Sequence, residues 1–393
     1  MIYLDNAATT PLDPRVFEEM QPYFLENYGN PGSVHSMGAS AKRAVDTARE
    51  QVAELICARP EEIVFTSGGT ESNNLAVAGM SEFLYINGKK HIAVSAVEHA
   101  SVRAAAVRVK TLAPDMVVKA IMPEKDGTVS TQGVGDVITN GAGFVSVMCV
   151  NNETGAINDV EAIGELCQSN GVYFHTDCVQ AAPFMELDVR KIGCDLMSLS
   201  SHKLHGPKGV GALYVQSAVP LYTQICGSPQ QEFGLRGGTL NVPGIVGFGK
   251  ACELLKQDLK RRSEYTLRLK QDFYVILKIV LADNGIEGIM HVNGNLPDAP
   301  GGILNLRFDG IDGETLLLYL NANGIFASAG SACNAQEQEP SGVLKAMGLT
   351  DEEAFQSVRF SFADQDLTVG LTGEAALVTG RAIIELSNNP CCK

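Results

Sequence analysis

The sequence predicts an α/β protein: a large domain with a mostly parallel sheet covered by helices, followed by a smaller α+β domain. Two features carry that expectation. Apolar runs of four to seven residues alternate with helical segments from residue 63 to about 215, the pattern of strands buried on both faces. From about residue 251 the texture changes to a long charged helix, then to strands mixed with short helices.

In chain order, the opening Tyr3-Leu4-Asp5-Asn6-Ala7-Ala8-Thr9-Thr10, with Pro11 and Pro14 after it, reads as an extended segment. Residues 16–23 predict a short helix and Gly29-Asn30-Pro31-Gly32-Ser33 a turn. Over 38–56 a helix is expected, with Ala41, Ala44, Val45, Ala48, Val52, Ala53 and Leu55 on one broad face. Strands are expected at 63–65, 91–95, 116–121, 144–150, 172–176, 196–199 and 212–215. Helices should run from about 71, over 100–109 and over 160–169. A helix over 251–282, carrying Lys256, Lys260, Arg261 and Arg262, reads as a connector between domains. Strands at 288–292, 303–308 and 325–328 and helices at 314–321 and 341–347 make the smaller domain. The tail from Ser387 to Lys393 should fray.

A chain of 393 residues has length for two domains. A formal charge of −15 argues against nucleic acid or an anionic membrane as main partner. None of the ten cysteines forms a C-x-x-C pair, and His, Asp and Glu do not gather round them at zinc-ligand spacing, so no intrinsic metal site is expected. No apolar run reaches membrane-spanning length and no signal-like segment opens the chain. A cytoplasmic protein with reduced thiols is expected.

Five clusters at strand ends bear chemistry, where open α/β sheets place ligands. The stretch 195–215 delivers Ser200, Ser201, His202 and Lys203 at the end of an apolar run, followed by Gly206, Gly209 and Gly211. A lysine between buried strands either points to water or is relieved by losing its charge, which makes it a nucleophile. Gly68-Gly69-Thr70 opens a helix and can cup a single phosphate, yet it is neither a P-loop nor a dinucleotide fingerprint. His99, in Glu98-His99-Ala100-Ser101, caps a helix, stacks on a flat ligand or shuttles protons. Asn151-Asn152 bonds its own turn or a ligand. Asp177 ends an apolar strand, where an ionised carboxylate needs a cation such as a protonated pyridine; Gln180 follows three residues on.

The runs YLDNAATT, TSGGTESNN, EHAS, NNETG, HTDCVQA, SLSSHKLHGPKGVGALYV, RGGTLNVPG and GSAC closely resemble the cysteine desulfurases. These are pyridoxal 5′-phosphate enzymes of the class V aminotransferase group, with a fold-type I, seven-stranded large-domain sheet. The resemblance covers residues 3 to about 362. It implies that Lys203 carries the cofactor, that Gly69, Thr70, Ser200 and His202 hold its phosphate, and that His99 covers the ring face. Asp177 would pair with the pyridinium, Gln180 with the ring oxygen, and Asn152 would lie close to it and to the substrate. Thr239 would reach the phosphate of the partner subunit's cofactor in a homodimer, and Arg359 would clamp the substrate carboxylate.

Cys333, among small and polar residues before Asn334 to Pro340, would accept the sulfur of L-cysteine and release alanine. The length of that loop resembles the long-loop group, which passes its persulfide to an acceptor or iron–sulfur scaffold protein, with Cys333 a transient ligand of the cluster cargo. The acceptor could serve iron–sulfur clusters, tRNA thiolation or DNA phosphorothioation. Rival readings are a selenocysteine lyase or a transaminase with Cys333 idle, and a non-catalytic interaction protein. The implied domains are 16–258, binding the cofactor, and 1–15 with 259–393, carrying the Cys333 loop. Departures from the family pattern are Gly342 for a common His, Asn334 for Thr or Ser, Gly237 for Ser, and a divergent segment after Phe362.

Overall fold

The structure, a computed structural model, describes residues 1–329, 339–365 and 367–388. Cys333 and its neighbours, Cys391 and Cys392 lie outside the described residues. The elements begin with β1 (Ile2–Tyr3), α1 (Pro14–Met20), α2 (Pro22–Leu25), α3 (Ser36–Leu55), β2 (Ile63–Thr66), α4 (Gly69–Ile86) and β3 (His91–Ser95). Next are α5 (Ala100–Leu112), β4 (Val117–Ile121), α6 (Thr131–Thr139), β5 (Phe144–Ser146), α7 (Val160–Ser169), β6 (Tyr173–Asp177), α8 (Val189–Ile192), β7 (Leu196–Ser200) and β8 (Gly211–Val215). The chain continues through α9 (Val242–Asp283), β9 (Met290–Val292), β10 (Ile303–Phe308), α10 (Gly313–Ala322) and β11 (Ile325–Phe326). It ends with α11 (Gly342–Ala346), α12 (Asp351–Phe355), β12 (Ser357–Ser361) and α13 (Val369–Ser387).

Seven strands form the main sheet in the order β2-β8-β7-β6-β5-β3-β4. Pairing is parallel from β7 to β4, whereas β8 runs antiparallel to both of its neighbours. The expected mostly parallel sheet is therefore present, with one reversed strand. Apolar side chains leave it on both faces. One core holds Phe65, Val145, Phe174, Met197 and Leu199 with α3 and the first half of α9; the other holds Val64, Phe144, Leu196 and Leu213 with α4 and α5.

A third core gathers Leu269, Phe273, Leu277 and Leu281 of α9 with Leu304, Leu306, Val358, Phe360 and Phe362. The Phe273 ring centroid lies 4.7 Å from that of Phe360 and 5.5 Å from that of Phe362. β12, β10 and β9 form an antiparallel sheet here, and β1 from the start of the chain pairs in parallel with β11.

Several element boundaries differ from expectation. The expected helix over 16–23 is two short ones, and the strand over 325–328 ends at Phe326. Two of the differences have a clear physical reason. The connector helix is 42 residues long and starts at Val242, capped by the Asn241 side chain, which accepts from the Gly244 N–H. Its glycines conceal that start in the sequence, since Gly is a poor helix former. They are required by packing: a Cβ on Gly249 would stand 2.6 Å from Ala48 Cα. β5 stops at Ser146, although Val147 and Cys149 still donate to His175 O and Asp177 O at 3.1 and 3.0 Å. The chain there is turning toward Asn151 and Asn152.

Candidate active site

β2 ends at Thr66 and α4 begins at Gly69, with Gly68 as N-cap. Gly68 has φ +149° and offers no side-chain cap, so the first N–H groups of α4 stay open to an anion. The neighbouring strand makes room, because a Cβ on Gly211 would lie 2.7 Å from Gly68 Cα. At the end of β7 the Ser200 hydroxyl is buried, with no hydrogen-bond partner among the described residues, and faces this turn. The turn is braced from outside: Glu71 accepts from the Ser67 N–H at 2.8 Å and from Arg236 Nε at 2.9 Å.

Lys203 closes a single helical turn after β7, Ser201–Lys203. Its Nζ donates to Ala7 O at 2.5 Å and Ala8 O at 2.7 Å. Gln180 Nε2 donates to the same Ala7 O at 2.9 Å, and Thr10 N–H and Thr10 Oγ1 donate to His202 O. The opening segment thus crosses the lysine and is held there. His202 Nδ1 lies 3.1 Å from Thr9 Oγ1. Burial, then the Lys203 and Lys208 charges, push the His202 pKa down to about 4, so its ring is neutral near pH 7.

Asp177 ends β6 with both oxygens held: Val179 N–H donates to Oδ1 at 2.9 Å and Asn73 Nδ2 to Oδ2 at 2.7 Å. Across the cavity, Arg359 on β12 is 2% exposed; its Nη1 donates to Asn152 O and its Nη2 pairs with Asp5 Oδ1, both at 2.8 Å. Asn152 Oδ1 and Arg359 Nε are buried without partners among the described residues.

These elements surround one cavity of about 550 Å³. Gly69, Thr70, His99, Asn152, Asp177, Gln180, Ser200, His202, Lys203 and Arg359 all line it. Thr239 is exposed and lies outside it.

The class V aminotransferase family model matches residues 2–366. The chain belongs to that family. It is similar to the cysteine desulfurase IscS of Methanosarcina thermophila, 40% identical over 92% of this chain and 86% of the relative. The cysteine desulfurase IscS of Shewanella piezotolerans is 42% identical over 92% of this chain and 87% of that protein. Among solved structures, a NifS-like protein superposes with a TM-score of 0.86 at 32% identity, covering 98% of this chain and 99% of its own. SspA in complex with cysteine gives 0.78 at 33% identity, over 92% and 99%.

The family's cofactor, pyridoxal 5′-phosphate, fits the cavity. The open start of α4 and the unpartnered Ser200 hydroxyl suit a phosphate, and the ordered Asp177 carboxylate suits a pyridinium.

Several residues on this cavity or beside it escaped the sequence reading. Asn73, on α4, and Ser101, on α5, reach Asp177 and His99. Glu98 is 1% exposed and accepts from the Met148 N–H at 2.6 Å; burial first, then Asp177, hold its pKa well above the carboxylate range. Asp5, which pairs with Arg359, likewise has no role in the sequence reading. Gly342 also gains a reason: a Cβ there would lie 2.9 Å from Arg103 Nη1, so the Arg103 guanidinium takes the room of a side chain.

Proposed function

We propose that the chain is a homodimeric, pyridoxal-phosphate-dependent cysteine desulfurase. The observation that carries this reading is the gathering of Lys203, Asp177, His99, Gln180, His202 and Arg359 around one cavity in a member of this family. The relatives named above favour it over a selenocysteine lyase or a transaminase with Cys333 idle.

When bound, the cofactor supplies a carbonyl that takes up amines and an electron-accepting ring. Gly69, Thr70, Ser200 and His202 would bind its phosphate, and Lys203 would hold it covalently. Asp177, oriented by Asn73 and Val179, would keep a proton on the ring nitrogen. Gln180 and Asn152 would orient the ring oxygen and His99 would cover the ring face. Arg359 would bind the substrate carboxylate, oriented by Asp5 and the Asn152 carbonyl. Once displaced by the amine of L-cysteine, Lys203 Nζ would take the proton from Cα and return one to the product. Cys333 Sγ, as thiolate, would form a bond to the substrate sulfur as the carbon–sulfur bond breaks, giving alanine and a Cys333 persulfide.

An acceptor or iron–sulfur scaffold protein would then receive that sulfur. The exposed place of Thr239, outside its own cavity, supports a site completed by a second copy. We assign residues 16–258 to the cofactor-binding domain and 1–15 with 259–393 to the smaller one, in keeping with the third core and the β1–β11 pairing. The compartment is read as the cytoplasm; among the described residues, no helix is long and apolar enough to cross a membrane.

The test is direct. Borohydride treatment of the holoenzyme should fix the cofactor to Lys203, and L-cysteine should yield alanine and sulfane sulfur in equal amounts. Lys203→Ala and Lys203→Arg should abolish both results, since a guanidinium keeps its proton. Cofactor fixed at Lys208, or alanine without sulfur, would refute the assignment.

A further inference from the structure

His99 occupies the N-cap of α5, a position that requires a hydrogen-bond acceptor. Its Nδ1 accepts from the Ser101 N–H at 3.2 Å and lies 2.7 Å from Ser101 Oγ. A backbone N–H can only donate, so Nδ1 carries no proton in this arrangement. Asn73 fixes the direction of the remaining bonds. Its Nδ2 spends one hydrogen on Asp177 Oδ2, at 2.7 Å, and the other on Ser101 Oγ, at 2.9 Å. Turning that amide over would set a carbonyl oxygen against the Asp177 carboxylate. Ser101 Oγ therefore accepts from Asn73, and its single hydrogen points to His99 Nδ1. All four residues are at least half buried, and the Asn73, Asp177 and Ser101 side chains are 1%, 4% and 7% exposed as residues.

We propose that Asn73 and Ser101 are positioning residues that hold His99 as the neutral, Nε2-protonated tautomer. The directed chain runs from Asn73, which also fixes Asp177, through the Ser101 hydroxyl to Nδ1. It leaves Nε2–H as the nitrogen available to a bound molecule. His99 is then a hydrogen-bond donor at Nε2 and not a base there, and the proton on the substrate Cα falls to Lys203.

The surroundings agree. Protonating Nδ1 would break the cap and set a cation at the positive end of a 13-residue helix. Burial lowers the His99 pKa most; Asp177 and Glu153 raise it, while Lys203 and Arg103 lower it, with a net fall. Asp177 ends β6, Lys203 follows β7, Arg103 is on α5, and Glu153 is in the turn after β5.

This inference deepens the proposed function, and its decisive readout does not need turnover. In the histidine-15N-labelled full-length chain, with and without pyridoxal phosphate, two-bond proton–nitrogen spectra report each ring's tautomer; His99→Gln identifies the His99 signals. His99 should show a protonated Nε2 and a bare, hydrogen-bonded Nδ1. Ser101→Ala should move Nδ1 toward the unbonded shift and lower kcat for alanine release about ten- to a hundredfold, with KM little changed, as loss of orientation does. Ser101→Thr should restore both. An Nδ1-protonated ring in the parent, or parental kcat in Ser101→Ala, overturns the inference. The expected tautomer in a protein that forms no sulfane sulfur would overturn the desulfurase reading and leave the tautomer assignment standing.

Discussion

Asp195, just before β7, accepts the Phe174 N–H at 2.7 Å through Oδ2. Burial pushes its pKa up to about 6, against the lowering effect of that hydrogen bond. A carboxyl raised in this way keeps its proton in the folded state between about pH 4 and 6, where the unfolded chain has lost it. Its contribution to stability is therefore complete at low pH and is lost as pH rises through about 6. Asp195→Asn keeps an acceptor for Phe174 and cannot ionise. From pH 4 to 7, the variant should gain about 2–3 kcal/mol on the parent in unfolding free energy; a difference independent of pH would contradict the assignment. Asp177 and Lys203 are legible in the sequence because each is an ionisable group at the end of an apolar run. Asn73 and Ser101 are not, since small polar residues are ordinary near helix starts and the bond that joins them runs between α4 and α5.

Elements far apart in sequence are tied by a buried pair that no local pattern announces. Glu232 accepts from Arg49 of α3 at 2.6 and 2.9 Å and from the Phe65 N–H of β2 at 2.6 Å. Arg49 also donates to Ile63 O and lies over the rings of Phe65 and Phe233, 4.7 and 5.2 Å from their centroids. Glu232 and Phe233 have φ +42° and +57°, a backbone cost that this anchoring offsets. Glu232→Ala leaves a buried guanidinium without its partner and should cost about 3–5 kcal/mol. Denaturant unfolding measures this directly, and a loss below about 1 kcal/mol would show that the pair is not the anchor. The alternating strands and helices up to β8 are readable from apolar period alone. The segment between β8 and α9 is not, because long-range charge and left-handed backbone shape it. The start of α9 is hidden too, by glycines that close packing demands.

At the scale of the whole molecule, the opening segment lies across Lys203, β1 joins β11, and α9 extends from one core into another. Apolar side chains near the start, such as Leu25 and Val34, are 83% and 104% exposed. If Thr239 completes the partner's site, inactive Lys203→Ala and Thr239→Val chains should regain activity when mixed and exchanged. One of the heterodimer's two sites then carries neither substitution. A fully active monomer would contradict the shared site. In the proposed reaction sulfur leaves cysteine on the chain's own thiol, Cys333. Mass spectrometry of the holoenzyme after one turnover with L-cysteine tests it most directly. One added sulfur is expected on Cys333, matched by one alanine, and no added sulfur or alanine in Cys333→Ser, which still binds the cofactor. Sulfur release that persists in Cys333→Ser, or an added sulfur confined to other cysteines, would contradict it.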